Sequence, residues 1–138
     1  MRHGFTLIET IIAVCLISIL TAIATPGFAR VIDAIEVREA AMEVETAFSA
    51  ARHLAIARGA QAFVEIDPGL ATVSVRIGTD TVRKRELADY RVVVQAAKTT
   101  MSYSAIGVGY GAANLTVVIR RNASIDSVVV SRLGRVRR

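Results

Sequence analysis

An uncharged apolar run near the N-terminus constrains this chain more than any other feature. No residue from Thr10 to Ala29 is charged, and about twenty apolar residues in a helix can cross a hydrocarbon core roughly 30 Å thick. One acidic residue, Glu9, stands directly before the run. A carboxylate inside a membrane helix costs on the order of 2–3 kcal/mol unless a partner compensates it. The run therefore predicts a membrane-spanning helix whose Glu9 needs a partner.

Two features of ordinary proteins could explain the same N-terminal segment. Thr6 and Glu9 have the spacing of a capping box, in which both side chains accept hydrogen bonds from backbone amides at the start of a helix. The whole segment could also be a secretory signal, with Ala22-Ile23-Ala24 as its cleavage site and Thr25 as the new N-terminus. The weakly positive start argues against a secretory signal, because Glu9 offsets the charge of Arg2.

The sequence Gly4-Phe5-Thr6-Leu7-Ile8-Glu9, followed by an apolar helix, resembles the class III signal of type IV pilins and type II secretion pseudopilins. In that family a prepilin peptidase cuts after the glycine, on the cytoplasmic face, and methylates the new N-terminal phenylalanine. The resemblance implies cleavage between Gly4 and Phe5. It implies that Glu9 pairs with the N-terminal amine of a neighbouring subunit, and that Pro26 breaks the helix near the outer leaflet.

The remaining composition favours a single pass and one domain beyond the anchor. The chain has 138 residues, and no second apolar run approaches the roughly eighteen residues that a span requires. Arg2 and His3 favour a cytoplasmic N-terminus, with the rest of the chain outside. Cys15 is the only cysteine and lies in the apolar run, so no intramolecular disulfide can form. His53 stands alone, and no nucleophile–base pair or metal cluster is visible. We therefore expect neither an enzyme, nor a metal, nor a cofactor.

After Pro26 the pattern changes to that of an amphipathic helix. Small and apolar residues recur three and four positions apart from Ala34 to Ala55, and Gly59 is a natural helix stop. From Ala62 onward the periodicity is that of short strands separated by turns. The predicted strands cover residues 63–66, 72–77, 81–87, 90–96, 100–105, 115–121 and 127–131. The glycine-rich segment 107–111 is predicted to connect strands, since no helix follows it to form a phosphate-binding loop.

These elements predict an α+β domain with a long N-terminal helix packed on an antiparallel sheet, the type IV pilin-like fold that the resemblance also implies. The predicted organisation is a class III leader peptide at residues 1–4 and a transmembrane helix at 5–29. An amphipathic continuation of the helix follows at 30–58, and a β-sheet globular domain with a basic C-terminal tail covers 59–138.

Positive charge is concentrated in the last third of the chain. The net charge is +5, and Asp126 is the only acid after Tyr90. The bases after Tyr90 are Arg91, Lys98, Arg120, Arg121, Arg132, Arg135, Arg137 and Arg138. Such an asymmetry favours an anionic partner. A solvated tail, or docking on acids such as Glu43 and Glu45 of a neighbouring subunit, is the alternative.

Residues 128–137 resemble the end of GspH/FimT-type pseudopilins, where a Gly-Arg-x-Arg motif follows a strand. In some FimT-like minor pilins this motif is implicated in binding DNA during natural transformation. The resemblance implies DNA contacts by Arg135 and Arg137. It further implies that Gly134 shapes the turn and that Arg132 or Arg138 adds charge.

The resemblance at both ends implies a minor pilin or pseudopilin, a structural subunit that waits in the bacterial inner membrane with its globular domain in the periplasm. The implied partners are other pilin or pseudopilin subunits, the prepilin peptidase and DNA. A GspH-like type II secretion pseudopilin and a FimT-like type IV pilus minor pilin are both open, and the Gly-Arg-Val-Arg end favours the second. The alternative class is a secreted or membrane-tethered binding domain with an ordinary signal peptide and no filament role.

Overall fold

The computed structural model describes residues 6–110, 114–131 and 133–138. The described residues form one long helix, α1 (Leu7–Arg58), followed by short strands that are joined by turns. The chain divides into two compact units, one up to Ile32 and the other from Asp33 to Arg138. Helix α1 contributes residues to both units.

The first unit is the N-terminal part of α1, and its hydroxyl side chains form hydrogen bonds within the helix. The backbone amide of Glu9 donates to Oγ1 of Thr6 at 3.3 Å, so Thr6 caps the helix as the capping-box spacing predicts. The hydroxyls of Ser18, Thr21 and Thr25 each donate to the carbonyl four residues earlier, at 2.8, 2.8 and 2.7 Å. These hydroxyls therefore need no partner outside the helix, which is what apolar surroundings require.

The expected break at Pro26 does not occur, because α1 continues through this residue. Proline lacks a backbone N–H, so the carbonyl of Ala22 loses its usual intrahelical donor. One interior proline costs a helix about 3 kcal/mol. Several helical turns lie on each side of Pro26 and continue the hydrogen-bond ladder, which explains why a single lost bond does not end the helix.

The second unit contains two antiparallel sheets. Its strands are β1 (Ala62–Asp67), β2 (Thr72–Ile77), β3 (Asp80–Glu86), β4 (Val93–Ala96), β5 (Thr100–Tyr103), β6 (Gly109–Tyr110), β7 (Leu115–Arg121), β8 (Ser124–Val130) and β9 (Val136–Arg137). The first sheet has the order β3-β2-β1-β5-β6, and the second has the order β4-β7-β8-β9. In the first sheet β1 is central, with Val64 opposite Val75 of β2 and Met101 of β5.

The core of the second unit forms where an alanine-rich face of α1 meets both sheets. The buried residues of α1 are Val37, Ala40, Ala41, Val44, Ala47, Phe48, Ala51 and Ala55. The predicted stripe is confirmed from Val37 onward, whereas Ala34 is exposed. The largest fully buried side chains opposite this face include Tyr103, Leu115 and Ile119. The predicted α+β class is confirmed, with two sheets where the sequence pattern suggested one.

The strand boundaries differ from the prediction mainly where strands are short. The predicted strand 90–96 begins only at Val93, because Ala88–Tyr90 form a 3-10 helix and Arg91 has a φ of 52°. Strands β6 and β9 were not predicted, since two residues are too few to display an alternating pattern. Strand β8 begins at Ser124, three residues before the predicted start.

A group of ion pairs links α1 to the second sheet. Arg121, at the end of β7, approaches Asp33 at 2.8 Å and Glu36 at 3.6 Å. Its guanidinium also donates to the carbonyl of Tyr90 at 3.0 Å, and the side-chain amide of Asn122 donates to Asp33 at 2.9 Å. The Arg121 and Asp33 side chains are each 14% exposed, so water screens this pair less than it screens a surface pair.

Arg121→Ala is expected to lower the free energy of unfolding by about 1–3 kcal/mol, because Asp33 loses its charged partner in a largely buried place. Chemical denaturation of the full chain in non-ionic detergent, followed by the circular dichroism of the strands, measures this change. Arg120→Ala is the matched control, since Arg120 is the exposed neighbour on the same strand. Equal stability losses in the two variants would contradict the conclusion that the ion pairs of Arg121 link α1 to the second sheet.

Candidate functional site

The residues predicted for processing and assembly are Gly4, Phe5, Glu9 and Pro26. Gly4 and Phe5 lie outside the described residues. Glu9 is exposed in the first turn of α1, and Pro26 is exposed within the helix. Every residue from Thr6 to Ile32 is exposed, although most of them are apolar. A helix that is apolar on all sides needs an apolar environment, which a membrane or a bundle of similar helices provides.

Length and composition make α1 a candidate membrane span. Among the residues that the structure describes, α1 is the helix that is long and apolar enough, and its most apolar stretch has a mean hydropathy of 2.5. Glu9 is the acidic residue of its first turn. A negative charge there interacts favourably with the amide end of the helix dipole. In apolar surroundings the carboxylate also needs a cation or a hydrogen-bond donor as a partner.

The basic C-terminal residues form a turn and a strand, where the sequence suggested a tail. The amide of Gly134 donates to the carbonyl of Ser131 at 2.8 Å, and the amide of Ser131 donates to the carbonyl of Arg135 at 2.8 Å. Strand β9 then pairs with β8, with Val136 opposite Val130 and Arg137 opposite Val129. The backbone that carries Arg135 and Arg137 is therefore fixed to the second sheet.

Gly134 allows this turn to sit on the core. Its φ is +76°, a left-handed conformation that glycine adopts without strain, and a Cβ atom there would lie 2.6 Å from Cε1 of Tyr103. The turn that ends at Gly107 lies beside Gly134. Gly107 has a φ of +77°, and its carbonyl oxygen lies 3.5 Å from the Cβ position of Gly134. Two glycines thus let two turns pack together against the ring of Tyr103.

Tyr103 supports the C-terminal turn as a neutral aromatic ring. Its side chain is fully buried, and its hydroxyl has no hydrogen-bond partner among the described residues. Burial raises the pKa of Tyr103 to about 12, and the positive charge of Arg52 acts in the opposite direction. The phenol therefore remains protonated at physiological pH, and its role is packing.

Three arginines converge on one groove beside this turn. Arg52 of α1, Arg135 of the turn and Arg137 of β9 line a groove of about 720 Å³. The described residues that complete its lining are Asn114, Val129, Ser131 and Leu133, and none of them is acidic. No carboxylate of the described residues forms an ion pair with the three guanidinium groups. We call this feature the arginine groove.

Other arginines of the second unit do not line the arginine groove. Arg138 does not line the arginine groove and approaches Asp126 at 3.4 Å. Arg132 lies outside the described residues. Arg83 and Arg85 of β3 approach Glu43 of α1 at 3.6 and 3.4 Å. Arg83, Arg85 and Arg138 therefore take part in intramolecular ion pairs and not in the arginine groove.

The sequence did not single out Arg52 as a site residue. It is an exposed arginine of an amphipathic helix, and such residues usually serve as a solvated face. Only the fold brings it to Arg135 and Arg137, which are more than eighty positions away in the chain. Helical spacing carries no signal for a contact of this sequence separation. The chemistry that the groove offers is the binding of an anion by guanidinium donors.

The fold and the N-terminal motif together are those of type IV pilin-like proteins. The family described as the prokaryotic N-terminal methylation motif matches residues 1–25. The second unit carries antiparallel sheets packed on the C-terminal part of a long N-terminal helix, as in type IV minor pilins of known structure. The predicted pilin-type N-terminal motif is confirmed by this family match, and the predicted type IV pilin-like fold is confirmed by the fold of such a minor pilin.

Two crystal structures of the type IV minor pilin FimU of Pseudomonas aeruginosa (strain PAO1) are similar to this chain. The first has a TM-score of 0.64 and 16% identity, and the alignment covers 74% of this chain and 87% of that chain. The second has a TM-score of 0.62 and 15% identity, and covers 72% and 90%. Identities this low show the fold alone. No curated protein sequence matched this chain.

Gly134→Ala is expected to destabilise the chain more than Gly78→Ala. Both glycines have a positive φ, but a Cβ atom at Gly78 meets nothing within 4 Å, whereas one at Gly134 collides with Tyr103. We expect a loss of about 1 kcal/mol for Gly78→Ala and roughly 2–4 kcal/mol for Gly134→Ala, since a collision in the core adds to the backbone strain. Thermal unfolding of the full chain in detergent compares them. Equal losses would show that Tyr103 does not hold the turn.

Proposed function

We propose that the protein is a minor pilin or pseudopilin, a structural subunit of a type IV pilus or of a type II secretion pseudopilus and not an enzyme. The observation that carries the proposal is the methylation motif at residues 1–25 in front of an apolar helix that is exposed on all sides, in a chain with the minor-pilin fold. An apolar helix of this kind needs lipid before assembly and other helices after assembly. A filament subunit has both environments.

In this proposal a prepilin peptidase removes residues 1–4 and methylates Phe5. The subunit is held in the bacterial inner membrane by the N-terminal part of α1, and the unit from Asp33 to Arg138 faces the periplasm. The carboxylate of Glu9 then meets the terminal ammonium of a neighbouring subunit, which supplies the cation that its apolar surroundings require. The similarity of the fold to FimU, a type IV minor pilin, favours the type IV pilus over the type II secretion pseudopilus.

Mass spectrometry of the mature protein is expected to find N-methylated Phe5 as the first residue. Deletion of the prepilin peptidase is expected to leave Met1 to Gly4 in place. A mature N-terminus at Thr25 would instead indicate an ordinary signal peptide, and the protein would then be a secreted or tethered binding domain without a filament role.

Glu9→Gln tests the assembly step separately from cleavage. The variant is expected to be cleaved normally, while its recovery in sheared filaments falls roughly tenfold or more, because a buried ammonium loses its counter-charge. Glu39→Gln is the matched control, since Glu39 is an exposed acid on the second-unit part of the same helix. Unchanged recovery of the Glu9→Gln variant would remove this carboxylate from the assembly mechanism.

We propose DNA binding as a second function, and the arginine groove is the observation that favours it. Arg135 and Arg137 are exposed, lie beside one another on an ordered turn and strand, and have no acidic partner among the described residues. Guanidinium groups bind phosphate oxygens without reading sequence, so such contacts would give non-specific, salt-dependent binding. No aromatic side chain lines the groove, so base stacking does not contribute.

The double variant Arg135→Ala with Arg137→Ala is expected to weaken retardation of duplex DNA by the full chain roughly tenfold or more at 100 mM salt. The matched control is Arg91→Ala with Arg120→Ala, two exposed arginines of the second unit that do not line the groove. Retardation that is lost equally in both double variants would mean that net charge alone attracts DNA. Retardation that survives in the first variant would exclude the Gly-Arg-Val-Arg motif.

A further inference from the structure

We infer that Arg52 of α1 is a third DNA-contacting residue, which binds the same phosphodiester backbone as Arg135 and Arg137. This inference rests on the proposed DNA binding and deepens it, because it extends the binding surface from the C-terminal motif to the helix. The surface then combines two separate parts of the chain: the C-terminal end of α1, which carries Arg52, and the segment from Arg135 to Arg137.

Packing at the two glycine turns holds Arg52 in this position. A Cβ atom added at Gly107 would lie 3.3 Å from Nε of Arg52 and 2.7 Å from Cδ1 of Ile56, which follows Arg52 by one helical turn. The turn ending at Gly107 is therefore covered by the Arg52 and Ile56 side chains. The same turn adjoins Gly134, directly before Arg135. A chain of contacts thus runs from α1 through Gly107 to the Gly-Arg-Val-Arg motif.

The charge distribution separates the arginines of the groove from those that form ion pairs within the part of the chain that the structure describes. Arg121, Arg83, Arg85 and Arg138 each approach an acid of the second unit. The three arginines of the groove approach no such acid among the described residues, although they line one cavity. Like charges that share a cavity repel one another, so an anion in the groove removes an unfavourable interaction that folding leaves in place.

The lining selects a nucleic-acid backbone over a protein surface. The charged groups of the groove are all hydrogen-bond donors, and guanidinium groups cannot accept. The phosphodiester backbone offers many acceptors and no charged donor, so it matches such a lining. An acidic surface of a neighbouring subunit would match the charge, but any basic side chain on that surface would meet further cations here. The groove volume of about 720 Å³ also exceeds what one inorganic anion fills, and it accommodates a stretch of backbone.

The test measures binding of the full chain, in non-ionic detergent, to a fluorescent 30-base-pair duplex of arbitrary sequence. The observed binding constant is determined at several KCl concentrations from about 50 to 300 mM, since each phosphate contact that is lost lowers the salt slope by about one. The variants are Arg52→Ala, Arg52→Lys, and the double variant of Arg135 and Arg137. Arg38→Ala is the matched control, an exposed arginine of the same helix that does not line the groove.

We expect Arg52→Ala to weaken binding about fivefold to tenfold and to lower the salt slope by about one. The double variant should lower the slope by about two, and Arg38→Ala should change neither quantity. Arg52→Lys should keep the slope of the parent, because it keeps the charge, and should lose part of the affinity. A slope that is kept in Arg52→Lys but lowered in Arg52→Ala shows that the charge of Arg52 contacts phosphate, and that its role is not only to pack over the Gly107 turn. The circular dichroism of each variant establishes that the fold is retained.

The outcomes distinguish the inference from the function on which it rests. If the double variant loses binding while Arg52→Ala binds like the parent, the inference about Arg52 is wrong and DNA binding stands. If Arg38→Ala weakens binding as much as Arg52→Ala, the groove is not a site and the inference is also overturned. If the parent itself binds no duplex at 50 mM KCl, the proposed DNA binding fails, and the inference fails with it.

Discussion

The burial of an alanine-rich face of α1 by two sheets is the contact on which the rest of the second unit depends. Alanine side chains are short, and larger side chains of the sheets, such as Tyr103 and Ile119, are buried in the same core. Burial of this apolar area is the main favourable contribution to folding here. The ion pairs between α1 and the sheets and the position of the C-terminal turn both depend on that packing.

Packing also determines which charges are available for binding. The acids on the flanks of the buried face meet arginines of the sheets, as Asp33 meets Arg121 and Glu43 meets Arg85. The C-terminal turn reaches α1 at the level of Arg52, where no acid lines the groove. The positive charge that remains unpaired is therefore a consequence of where the helix and sheets meet, and the composition alone does not reveal it.

The sequence predicted the parts of the fold that have a long, regular pattern. The helix, the buried stripe from Val37 and the main strands follow from periodicity, because each residue reports the face on which it lies. The two-residue strands β6 and β9 have no such pattern. The continuity of α1 through Pro26 was missed, since the expected break came from the resemblance to pilins, whereas the helical turns on both sides of the proline outweigh one lost bond.

The sequence identified only those residues of the candidate site that belong to a short local motif. The Gly-Arg-Val-Arg motif identified Arg135 and Arg137, and the structure places both in one groove. Arg52 depends on a contact between residues far apart in the chain, and the close approach of Gly134 to Tyr103 depends on the position of β5. Such information lies in the tertiary structure. The pairing of Arg138 with Asp126 also could not be inferred from a run of basic residues.

The internal hydrogen bonds of Ser18, Thr21 and Thr25 have a consequence for a helix that changes its surroundings. These hydroxyls donate to carbonyls of their own helix, so the helix carries its polar partners with it. Transfer from lipid to a bundle of neighbouring helices breaks none of these bonds, and only van der Waals contacts are exchanged. In the proposed filament subunit, the membrane then serves as a reservoir from which subunits are withdrawn at little energetic cost, apart from the carboxylate of Glu9.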